Sequence, residues 1–138
     1  MKHWFIDTNI LLDYLLNRPV FADAAETLFR LVMARQVTLY ISSLSLANAH
    51  YVMRRQLPAP VVIDALHQVR PLLRIVALDE AAIDQALAAS MPDFEDALQY
   101  FCAIAVPGVT AIVTRDPRGF AESRLEVLAP TDAVRRLR

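Results

Sequence analysis

Apolar positions along this chain follow two rhythms: short unbroken runs, and longer stretches with an apolar residue every third or fourth position. The short runs predict buried strands over 2–6, 37–41, 74–77, 111–113 and 126–128. The longer period predicts helices over 9–16, 21–35, 44–56, 61–72, 80–90, 94–106 and 132–137. Helix breakers fall between these segments, at Asn17-Arg18-Pro19, Pro58 and Pro60, Met91-Pro92 and Pro107-Gly108. Strands alternating with helices predict an α/β fold with a parallel sheet and right-handed crossovers. At 138 residues, with no repeat and no linker rich in Gly or Ser, one domain over 1–138 is the expectation.

The organising stretch is Phe5 to Asp13. Trp4, Phe5 and Ile6 run without alternation into Asp7, which places that acid where the first strand delivers its last side chain to the sheet edge. In an open parallel sheet the carboxyl edge is where ligands bind. Asp7 is either a site acid or the cap of a helix carrying Ile10, Leu11, Tyr14 and Leu15. Asp116 follows the fourth strand, and Asp93 and Asp96 open the helix that feeds it. If strands one and four are neighbours, these four carboxylates converge. Unpaired carboxylates that close repel one another, and a divalent cation relieves the repulsion. Oxygen donors without a cysteine or a histidine pair favour Mg²⁺ or Mn²⁺ over zinc. Local readings compete: Asp93 and Asp96 suit an N-cap and a capping-box position, Asp116-Pro117 opens a turn, and Asp13 is either a supporting residue or exposed.

Composition narrows the field. The chain is 56% hydrophobic with a net charge of −1, so it has no global field for nucleic acid. Of its fourteen basic residues only Lys2 is lysine. The apolar run Tyr100–Val113 is cut by Pro107 and Gly108 and is too short to cross a bilayer. Asp7 and Asp13 interrupt what would be a signal-peptide core, and Cys102 is alone, so a reducing, cytoplasmic location is the expectation. A P-loop is excluded because Gly108 and Gly119 are the only glycines. Phosphoaspartate chemistry lacks its later lysine, and a serine triad lacks its nucleophile elbow. His50, one turn from Arg54, is a packing or surface residue or touches a phosphate.

Phe5-Ile6-Asp7-Thr8-Asn9-Ile10-Leu11-Leu12-Asp13, Asp96-Ala97-Leu98 and Val113-Thr114-Arg115-Asp116 with Phe120 resemble the motifs of the PIN-domain family. That family comprises metal-dependent ribonucleases, including the toxins of VapBC-type toxin–antitoxin pairs. The resemblance spans nearly the whole chain. It implies a three-layer fold, with about seven helices flanking a five-stranded parallel sheet, and cleavage of single-stranded RNA with Mg²⁺ or Mn²⁺. It also implies an antitoxin partner and a homodimer. One departure is visible: Asn48 stands where most of the family has a glutamate, and Ser-Leu-Ala-Asn with Asp93-Phe94-Glu95-Asp96-Ala97-Leu98-Gln99-Tyr100 resembles a sub-branch.

The function expected is metal-assisted hydrolysis of an RNA phosphodiester. Asp7, Asp96 and Asp116 hold the metal, with Asp93 as a fourth acid and Asn48 as a neutral ligand or water-positioning group. Thr8, Asn9 and Thr114 orient these groups or hold a phosphate, and Arg115 and Arg118 contact the substrate backbone. The rival is a catalytically weak module of the same fold that binds RNA or a protein.

Overall fold

The computed structural model describes residues 1–137. Five strands, β1 (Lys2–Ile6), β2 (Val37–Ser42), β3 (Leu73–Val76), β4 (Ala111–Val113) and β5 (Glu126–Leu128), form one parallel sheet in the order β3-β2-β1-β4-β5. Seven helices lie among the described residues: α1 (Thr8–Leu15), α2 (Ala22–Met33), α3 (Ser43–Arg54), α4 (Ala59–Val69), α5 (Glu80–Ala88), α6 (Phe94–Ile104) and α7 (Pro130–Leu137). The α/β reading and the three layers of a PIN-like fold are both found. Two 3₁₀ turns were not expected: Arg70–Leu72, and Pro117–Phe120 inside the polar loop after β4.

Alternation along the strands sorts the core into two faces. Trp4 and Ile6 pack with Leu39, Ile41, Ala111 and Val113 against α1 to α4 and α7. Phe5 and Ile112 point the other way, with Ala82 of α5 and Tyr100, Cys102 and Ala103 of α6. Strands β1 and β4 are buried on both faces, which is why their sequences show no alternation. Cys102 is a buried free thiol.

Polar residues end the strands and start the helices. Asp7 Oδ1 accepts from the Thr8 N–H at 2.7 Å, and Ser42 Oγ accepts from the Ser45 N–H at 3.1 Å. Asp79 and Asp93 cap α5 and α6 in the same way. The chain leaves β1 toward β2 on one side and returns on the other side as β4, so the sheet reverses its order between β1 and β4. Such a switch point opens a crevice at the carboxyl ends of the strands. Asp7 and Thr114 stand there.

Candidate active site

The switch point joins Asp7 to the segment after β4. The Asp7 N–H donates to the Val113 carbonyl at 3.0 Å, continuing the sheet by one rung. The Thr114 hydroxyl donates to Asp7 Oδ2 at 2.9 Å and accepts from the Asp116 N–H at 3.0 Å. Thr114 is fully buried, so this one hydroxyl fixes the Asp7 carboxylate against the start of the Asp116 turn. Burial pushes the Asp7 carboxyl above its ordinary range; the Thr114 and Thr8 hydrogen bonds pull it back, and the Asp116 charge raises it further.

Helix α6 brings the next acids. Asp93 caps it, accepting from the Asp96 N–H at 2.9 Å, as the local reading anticipated. Asp96 lies against the 3₁₀ turn after Asp116, so that a side-chain carbon built on Gly119 would collide with its carboxyl. Its pKa is raised to about 6, first by burial and then by the charges of Asp93, Asp7, Asp116 and Glu95. Asp96 thus feels every other acid of the crevice. Glu95, not anticipated from sequence, is also pushed upward, by burial first and then by Asp7 and Asp93, while a hydrogen bond from Asn48 lowers it. An acid in the first turn of a helix reads as a complement to the helix dipole, and that ordinary reading concealed it.

Several of the expected site residues make other contacts as well. Thr8 does not offer its hydroxyl to a ligand. It is buried, shares a hydrogen bond of 2.6 Å with Ser45, and receives one from the Gln99 amide at 3.4 Å. With Gln99 Nε2 donating to Ser45 Oγ at 2.8 Å, these side chains form a polar junction of α1, α3 and α6 beneath the acids. Arg115 is not a free cation for substrate. Its guanidinium holds Asp13 through two hydrogen bonds of 2.8 and 3.2 Å and lies 3.9 Å over the Phe21 ring. Asp13 in turn is buried, with Arg18 at 3.5 Å as a second partner. Asn9 is exposed and accepts from Arg18 at 3.2 Å. Arg118 remains open, 95% exposed and 3.6 Å from Asp116.

The expected convergence of acids is looser than foreseen. Among the described residues no three His, Cys, Asp or Glu side chains are gathered tightly enough to form a ready-made ion cage. Like charges without a counter-charge separate, and four of the five acids have a partner of their own: Asp7 takes Thr114 and Thr8, Asp93 the Asp96 amide, Asp116 Arg118, and Glu95 Asn48. The chemistry of the set still suits a hard divalent cation. Its donors are carboxylate oxygens, thiol and imidazole are absent from the group, and the acids raise one another's pKa.

A doubly wound parallel sheet with acids from three elements at its switch point defines the class. The PIN-domain family model matches residues 3–118, and the chain belongs to that family. Solved structures with the same fold include VapBC2 from Rickettsia felis bound to a DNA fragment from the pair's promoter. The match has a TM-score of 0.68 and 19% identity, covering 92% of this chain and 98% of that one. FitAcB from Neisseria gonorrhoeae is similar with a TM-score of 0.67 and 18% identity, over 93% and 98% of the two chains. Mycobacterium tuberculosis VapC20, described as a sarcin–ricin loop cleaving toxin, has a TM-score of 0.68 and 17% identity, over 91% and 98%. No protein of curated function matches the chain in sequence.

Proposed function

We propose that the protein is an endoribonuclease that hydrolyses single-stranded RNA with Mg²⁺ or Mn²⁺ held by Asp7, Asp96 and Asp116. Membership of the PIN family supports a nuclease in general. The observation that carries the reading is the placing of Asp96, whose carboxyl is driven up to about 6 by burial and by the charges of Asp93 and Glu95 from its own helix head, Asp7 from the end of β1 and Asp116 from the loop after β4. A bound divalent ion supplies a Lewis acid for the phosphoryl oxygen and lowers the pKa of water. Both oxygens of Asp7 are held, one by the Thr114 hydroxyl and one by the first backbone N–H of α1. Thr114 keeps Asp7 and the Asp116 turn in register. Asp93 sets the head of α6, and its charge raises the pKa of Asp96. The acidic rim repels a polyanion until cations offset it, which makes RNA entry depend on metal; Arg118 is the exposed cation at the rim.

The natural context proposed is a toxin with a protein antitoxin, and a homodimer as its assembly. Named relatives of the same fold are complexes of this kind. The exposed side chains of Tyr51, Val61 and Ile63 on α3 and α4 offer apolar surface for another chain. Among the described residues no helix is long and apolar enough to cross a membrane.

The test is incubation of the full chain with an end-labelled unstructured RNA in Mg²⁺, Mn²⁺ or chelator. The reading expects cleavage that requires the ion and disappears in Asp7→Asn. Cleavage that survives chelation or the substitution overturns it, and RNA binding without cleavage makes the protein a binding module.

A further inference from the structure

Helices α3 and α6 meet in two successive steps. The inner step joins Ser45 and Gln99 at 2.8 Å, both buried. One turn along each helix toward solvent, Asn48 Nδ2 donates to Glu95 Oε1 at 3.1 Å. Thr8, which follows Asp7, belongs to the inner step. Glu95 and Asp7 therefore flank the same junction, and Glu95 extends the row of acids toward α3.

Glu95 takes its partner from another helix. Other surface carboxylates take arginines, as Glu26 takes Arg30, Asp132 takes Arg135 and Glu126 takes Arg136, or, like Asp64 with Gln68, an amide of their own helix. Among the described residues Glu95 has no cation and accepts a single hydrogen bond, from an amide. An amide that donates fixes the direction of a carboxylate without cancelling its charge. The Glu95 charge stays available, and its Oε2 stays open. An acid at position 48 would instead face Glu95 as a second negative charge.

We propose that Glu95, steered by Asn48, is a further carboxylate ligand of the divalent ion, and that the pair carries its one negative charge on α6 rather than on α3. The proposal rests on the metal-site reading above. The competing view is that Glu95 merely complements the positive end of the α6 dipole.

Calorimetric titration of the full-length protein with Mn²⁺ alone, together with melting in chelator, separates these views. Glu95→Gln keeps the size and the hydrogen-bonding reach and removes the charge. It should bind Mn²⁺ about tenfold more weakly, and it should melt in chelator no lower than wild type. The double variant Asn48→Glu, Glu95→Gln returns the charge from the other helix, and its affinity should recover to within about threefold of wild type. Unchanged affinity in Glu95→Gln, with wild type binding, overturns the assignment alone and leaves the metal site standing. Loss that the double variant does not recover also overturns it. Wild type that takes up no Mn²⁺ overturns this proposal together with the metal site.

Discussion

Gly119 and the Asp96 carboxyl touch so closely that no side-chain carbon fits between them. Asp96 comes from the first turn of α6 and Gly119 from the 3₁₀ turn that follows Asp116. The missing side chain is what lets an acid of one element reach the acid of the other. Gly119→Ala should therefore act on the site more than on the fold. The backbone there is free of positive-φ strain, and the colliding group is the end of a movable side chain. The loss of stability should stay below about 1 kcal/mol, as for ordinary substitutions away from the core. Mn²⁺ affinity should fall about tenfold, equivalent to about 1.4 kcal/mol. Paired melting and titration experiments check this; a large fall in melting temperature with unchanged affinity would refute the arrangement.

The raised pKa of Asp96 gives a pH dependence with a defined sign. In the unfolded chain the group titrates near 3.8, and in the folded protein near about 6. Between those values the folded state keeps a proton that the unfolded state has lost. This contribution to stability is full below the lower value and is lost as pH rises through the upper one. Metal-free wild type should lose stability from about pH 4 to about pH 6.5 more steeply than Asp96→Asn, while its Mn²⁺ affinity rises over the same range. Calorimetric melting across that range in chelator measures the first effect. Parallel slopes for the two proteins would remove Asp96 from the centre of the repulsion.

The Asp13–Arg115 pair predicts a different kind of loss. Asp13 on α1 is 1% exposed, and its partner lies 102 residues away beside the acid loop. Asp13→Ala leaves Arg115 facing an empty buried position. It should cost about 3 kcal/mol, toward the low end for a broken buried pair because Arg115 still reaches solvent. That corresponds to a fall in melting temperature of about 10 °C for a chain of this size. The double variant with Arg115→Ala should lose clearly less than the sum of the two single variants. Strict additivity would mean that the pair does not interact.

The contrast among these residues explains what could be read from sequence. Strand and helix positions were legible because Pro, Gly and capping residues punctuate segments of clear periodicity, as at Asp7, Ser42, Asp79 and Asp93, whereas the order of the strands in the sheet was left open. The positions of Asp7 and Asp116 followed from strand ends alone. Thr8 was read as orienting site groups or holding a phosphate; its N–H does hold Asp7, whereas the burial of its hydroxyl depends on how α3 and α6 cross beneath it. The contacts of Arg115 were hidden for a similar reason. Its neighbour Asp116 is local, but its partners Asp13 and Phe21 are set by tertiary packing that no local pattern records. Glu95 was hidden by having an ordinary explanation, and only the approach of Asn48 from another helix distinguishes it.

The central claim is that acids from β1, α6 and the loop after β4 act together on one divalent ion. Calorimetric titration with Mn²⁺ at about neutral pH tests it most directly, using wild type beside Asp7→Asn and Asp116→Asn. The account predicts saturable binding by wild type, weakened at least about tenfold in each variant, or about 1.4 kcal/mol or more. Absence of saturable binding in wild type, or equal binding by all three proteins, would contradict it.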